Sequence, residues 1–136
     1  MEVVFPDGTV VRASSIRDRV EHDPARSLYL DMRWLPTWPA EVVEWQDYGL
    51  PADSERAADQ ITAAFARARR GDMVEVGCVG GLGRTGTVLA CMAVLAGVPA
   101  ASAVDWVRRE YRPAGVETSA QEQWVRWFAG RMERDG

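Results

Sequence analysis

The sequence predicts an α/β fold: a central mixed, partly parallel sheet of about 4–5 strands flanked by helices, in a single domain over residues 1–136. Three observations predict it. An Asp-Gly pair between two β-branched runs opens the chain as a hairpin. Strand-like and helix-like patterns then alternate through residues 42–77, as where a helix returns the chain between parallel strands. Finally, residues 73–95 place a short apolar run, a glycine-rich turn and a long apolar run in succession.

In order, Glu2-Val3-Val4-Phe5 and Thr9-Val10-Val11-Arg12 form the hairpin around Pro6-Asp7-Gly8, and polar residues 14–27 form a surface connection. Leu28-Tyr29-Leu30-Asp31-Met32 is a core strand, followed by a proline-stiffened loop with Trp34 and Trp38. Val42-Val43-Glu44-Trp45 is the next strand. Asp53 or Ser54 caps a helix running to Arg70 and stopped by Gly71, with Ala57, Ala58, Ile61, Ala64, Phe65 and Ala68 as its apolar stripe. Met73-Val74-Glu75-Val76 alternates around Glu75 as a strand, and Thr87 to Leu95 is a buried helix broken at Gly97-Val98-Pro99. A shorter helix runs from Ala100 to Tyr111. The last, capped by Thr118 or Ser119, carries Trp124, Val125, Trp127, Phe128 and Met132. A helix of about 17 residues spans roughly 25 Å, enough to return the chain past both of its strands. That alternation brings Asp47, Cys78, Arg84 and the loop 113–118 to one edge of the sheet, the edge where open α/β sheets bind ligands.

Between strand and buried helix lies Cys78-Val79-Gly80-Gly81-Leu82-Gly83-Arg84-Thr85-Gly86. Gly80, Gly81 and Gly83 let successive N–H groups turn inward at a helix N-terminus, which makes an anion site, and a cysteine at its start lies where negative charge on sulfur is stabilised. The arginine six residues on can reach over the same cavity with a planar fork suited to phosphoryl oxygens. Absences narrow the chemistry. The chain has no lysine, which excludes a nucleotide P-loop and Schiff-base chemistry. Its single histidine, His22, and its two cysteines show no metal-ligand spacing. A net charge of −4, with arginines in no long run, argues against general nucleic-acid binding. No apolar run approaches the roughly 20 residues of a membrane span, and with no signal-like start or disulfide framework the expected address is cytoplasmic. Cys91, in the middle of an apolar run, is expected in the core, and His22 on the surface.

The nine residues from Cys78 to Gly86 resemble the C-x-x-G-x-x-R-T-G signature of cysteine-dependent protein tyrosine phosphatases, and the chain's size resembles the compact dual-specificity branch. Trp45-Gln46-Asp47-Tyr48-Gly49-Leu50-Pro51 resembles the family's acid loop W-P-D-x-G-x-P, and Val116-Glu117-Thr118-Ser119-Ala120-Gln121 resembles its closing segment. The three follow the family's order from Trp45 to the end of the chain. Gly77 stands where the family usually has histidine, Gln46 replaces the acid-loop proline, and Glu117 takes the place of the first family glutamine, leaving Gln121 as the second.

The resemblance implies phosphomonoester hydrolysis through a phosphocysteine, with no metal or other cofactor. Cys78 is then the nucleophile; Arg84 and the amides of Val79, Gly80, Gly81, Leu82 and Gly83 hold the phosphoryl group; Asp47 is the general acid; Thr85 donates to the departing sulfur; Gln121 positions water. Taken without the family, Asp47 reads equally as a turn aspartate, Thr85 as a helix cap and Gln121 as a polar helix face. A carboxylate at 117 would repel a phosphoryl group, which keeps Glu117 out of this set. Tyr48, Trp34 and Trp38 read as pocket wall or core, and Arg108, Arg109 and Arg112 as a solvated helix face. The loop carries no basic side chain between Cys78 and Arg84, which disfavours inositol phospholipids. A phosphotyrosine protein is the first-choice partner, ahead of a small phosphomonoester; neither nucleic acid nor membrane is expected as one. Two alternatives stand beside this: a phosphate-binding module without turnover, motivated by Gly77 and Gln46, and arsenate reduction, for which Cys91 lies about three helical turns away.

Overall fold

A computed structural model describes residues 1–15, 27–30, 40–46, 48–78 and 82–135. Asp47, Val79, Gly80, Gly81, His22, Trp34 and Trp38 lie outside the described residues. Five strands and four helices follow one another as β1 (Glu2–Val4), β2 (Val10–Ser15), β3 (Ser27–Tyr29), β4 (Ala40–Val42), α1 (Ser54–Arg69), β5 (Glu75–Cys78), α2 (Gly83–Leu95), α3 (Ala100–Glu110) and α4 (Ser119–Asp135). The sheet order is β1-β2-β5-β3-β4. Among the described strands β1 and β2 alone pair antiparallel, as the Asp-Gly hairpin requires, with Gly8 at φ 88. The other pairings are parallel, so β2, β5, β3 and β4 all end at the same edge.

Strand assignments change in several places: Ser14 and Ser15, expected in a surface connection, end β2, and Ser27, also expected there, is buried at the start of β3. The strand expected at residues 42–45 lies at Ala40–Val42, and Trp45 instead bridges Pro51 across the intervening loop. The apolar alternation there belongs to Val43 and Trp45 turning into the core beyond the strand's end. Alternation around Glu75 also fails, because β5 is central and all four of its residues are buried. Glu75 is 1% exposed and accepts a 2.6 Å hydrogen bond from the Tyr29 hydroxyl, which answers how a carboxylate is tolerated there.

The helices follow their sequence signals more closely. Asp53 caps α1 by accepting from the Arg56 N–H, Gly71 leaves it at φ 95, and all six stripe residues are buried. The helix α2 is buried from Gly83 to Met92 on every side, with Ala93 after it, as expected of a helix without a polar face. Cys91 is fully buried within it. Trp124 and Phe128 of α4 pack in the same core, and Arg131 pairs with Glu55 and Asp59 of α1 on the surface. Among the described residues no helix is long and apolar enough to cross a membrane.

Candidate active site

Cys78 ends β5 at the edge where the parallel strands finish, and its neighbour in register is Ser15 at the end of β2. The Cys78 side chain is 2% exposed, and its Sγ accepts a 3.0 Å hydrogen bond from Thr85 Oγ1. That bond crosses from the strand's end to the first turn of α2. Asp53 and Thr118 give the starts of α1 and α4 side-chain caps, through Arg56 N–H and Gln121 N–H respectively. Leu82, the residue in that position at α2, gives none. The first N–H groups of a helix carry partial positive charge, so a helix start left uncapped beside a sulfur is suited to an anion.

Arg84 is 3% exposed, and its Nη1 donates at 2.8 Å both to Leu30 O and to Trp45 O. A cation in the first turn of a helix opposes the helix dipole, and here two carbonyls at the ends of neighbouring segments offset that. The guanidinium therefore ties α2 to the chain after β3 and to the start of the loop 45–51. The same loop is closed on its other side. Gly49 O accepts from Trp45 Nε1 at 2.8 Å and from Gln121 Nε2 at 3.2 Å, while Gly49 N–H donates to Gln46 O.

Gln121 has no exposed surface, and both ends of its amide are engaged. Its Oε1 accepts from the N–H groups of Glu117 and Thr118, and its Nε2 reaches Gly49 O, so it links the turn before α4 to the loop around residue 47. Cys78, Arg84, Thr85 and Gln121 are thus brought to one end of the sheet, with Leu82 and Gly83 opening the helix between them.

Two expectations are corrected. Tyr48 is not core: it is 63% exposed, at φ 60, a conformation that non-glycine residues adopt rarely. Arg108 is not simply a solvated face residue, because its Nε and Nη2 donate to Gly115 O and Val116 O at 3.1 and 2.9 Å. Arg112 is exposed, as expected, and lies over the Tyr111 ring, 5.7 Å from its centroid.

Sequence reasoning missed Tyr111. It follows α3, it is buried, and its phenol is pushed up by burial and then by charge on Cys78, against the pull of Arg112. Its phenol is therefore within electrostatic reach of the sulfur. One aromatic residue at a helix end gives no motif from which to expect this. Burial likewise pushes the Cys91 thiol well up.

A cysteine closing a central parallel strand, an uncapped helix start beyond it and an anchored arginine form a site suited to an anion. The family model described as a Swiss Army Knife protein's DSP-PTPase phosphatase domain matches residues 42–125, and the chain belongs to that family of dual-specificity-like protein tyrosine phosphatases. As a member, it is a cysteine-dependent phosphatase domain. Among its relatives, the Methanocaldococcus jannaschii protein MJECL20 is 38% identical over 109 residues, covering 71% of this chain and 70% of that protein. A second protein of that organism, MJ0215, is 36% identical over 109 residues, and the match spans 71% of this chain and 65% of MJ0215. Human DUSP28 has a similar fold, with a TM-score of 0.76 over 100% of both chains at 14% identity.

Proposed function

We propose that the protein hydrolyses phosphomonoesters through a phosphocysteine, with aryl phosphates such as phosphotyrosine as preferred substrates. The Thr85 hydroxyl donating to Cys78 Sγ at the uncapped start of α2 carries this reading. The Cys78 thiolate attacks phosphorus and the bond to the ester oxygen breaks, its electrons leaving with that oxygen, which takes a proton from Asp47. Water then attacks the phosphocysteine and gives a proton to Asp47, and the P–S bond breaks to return the thiolate. Thr85 favours that departure because a hydrogen bond to a charged sulfur is stronger than one to a neutral thiol. Arg84 and the amides of residues 79–83 hold the equatorial oxygens. Gln121 serves as a positioning residue, through its grip on the loop that carries Asp47. Exposed Tyr48 and Leu50 beside residue 47 offer apolar surface to an aromatic leaving group. A reducing, cytoplasmic setting suits a free thiolate nucleophile.

Turnover of phenyl phosphate and p-nitrophenyl phosphate by the wild type, Cys78→Ser and Asp47→Ala tests this reading. Cys78→Ser should be inactive with both, and Asp47→Ala should slow phenyl phosphate by about 10²–10⁴ while sparing the better leaving group. Residual turnover in Cys78→Ser would remove the phosphocysteine, and an unchanged phenyl phosphate rate in Asp47→Ala would remove the acid.

A further inference from the structure

The segment 115–118 is held against the first turn of α2 from several directions. A Cβ on Gly86 would stand 2.8 Å from both Gly115 Cα and Val116 N, so the two backbones touch there. Arg108 donates to Gly115 O and Val116 O, and Gln121 Oε1 accepts from Glu117 N–H at 2.8 Å. Val116 is 2% exposed and at φ 62, a strained conformation for a β-branched residue that persists only where its surroundings impose it. The result of this clamping is the position of Glu117. Its carboxylate lies across Gly83, so that a Cβ built there would fall 1.9 Å from Glu117 Oε1 and 2.7 Å from Cδ. Gly83 is the first residue of α2 and the neighbour of Arg84, so an exposed negative charge is fixed at the uncapped start of α2.

From this we infer that Glu117 is a specificity-determining residue. Its charge weakens binding of the phosphate dianion, which hastens product release, and it discriminates against substrates with a second negative group beside the phosphate. The inference rests on the phosphatase reading of the Cys78 site. Like charges brought close together at one helix start repel, which sets such a preference. A neutral side chain of the same shape would keep the packing on Gly83 and lose the repulsion.

The test compares wild type and Glu117→Gln, with Glu117→Ser as a second variant should the first fold poorly. Two readouts serve: the inhibition constant of inorganic phosphate, and the kcat/KM ratio between phenyl phosphate and 4-carboxyphenyl phosphate. Removing the charge should tighten phosphate inhibition by about tenfold and bring the ratio closer to one. If Cys78-dependent turnover is present but both quantities stay unchanged, the inference fails and the phosphatase reading stands. If the wild type shows no such turnover, that reading fails. Calorimetric binding of inorganic phosphate to Cys78→Ser with and without Glu117→Gln then decides the inference by itself, equal affinities overturning it.

Discussion

Two cysteines in one strand–helix unit are both buried, and they differ in their polar contacts. Cys91 lies among apolar side chains on α2, where burial pushes its thiol well up and leaves almost no thiolate near neutral pH. Cys78 ends a strand and accepts from Thr85 instead. Iodoacetamide should therefore modify only Cys78 in the native protein, with Cys91 reacting after denaturation; peptide mass spectrometry on the two samples checks this. Equal native labelling would contradict it. At this scale the identities of Cys78, Arg84 and Thr85 are legible because the chemistry needs those side chains at that spacing. The carbonyls of Leu30, Trp45 and Gly49 that orient Arg84 and Gln121 are not. Every residue carries a carbonyl, so sequence holds no sign of which one receives a bond.

Helix limits follow from local chemistry, and strand limits from partners, which explains the uneven legibility of the elements. Asp53 and Gly71 mark the two ends of α1 by a capping oxygen and a left-handed backbone, both encoded within a few residues. The limits of β4 depend on what β3 offers it. Trp45 is buried against Trp124, with ring centroids 5.4 Å apart, and this tertiary contact gives residues 42–45 their strand-like pattern. The approach of α2 to the loop 115–116 is similarly hidden, because it joins positions far apart in the chain. Gly86→Ala probes it: the added methyl would meet the backbone of Gly115 and Val116 at 2.8 Å, and backbone there cannot swing aside as a flexible side chain can. A loss of about 1–3 kcal/mol in urea unfolding is expected, together with lower turnover as residues 115–118 shift. A neutral result on both would show that the loop yields.

For the molecule as a whole, the parallel sheet explains why the site lies at one end, and the alternation of elements made that end foreseeable. Its protonation behaviour was foreseeable at Cys91, expected in the core from its apolar run, and not at Tyr111, whose environment comes from tertiary burial. Both bind their protons more tightly folded than unfolded. Their contribution to stability is thus fully present below their ordinary values of 9.0 for the thiol and 10.0 for the phenol, and is lost as pH rises through the raised folded ones. Urea midpoints should fall between about pH 8 and 10.5, and the Cys91→Ala/Tyr111→Phe protein should show a shallower fall. Identical slopes would assign the alkaline loss to other groups. Arg84, finally, is a rivet as well as a ligand, since one nitrogen fastens two separate crossings of the backbone. Replacing it would slacken the frame and strip the anion of its partner in the same stroke, leaving this position little mutational latitude even in a lineage that had given up catalysis.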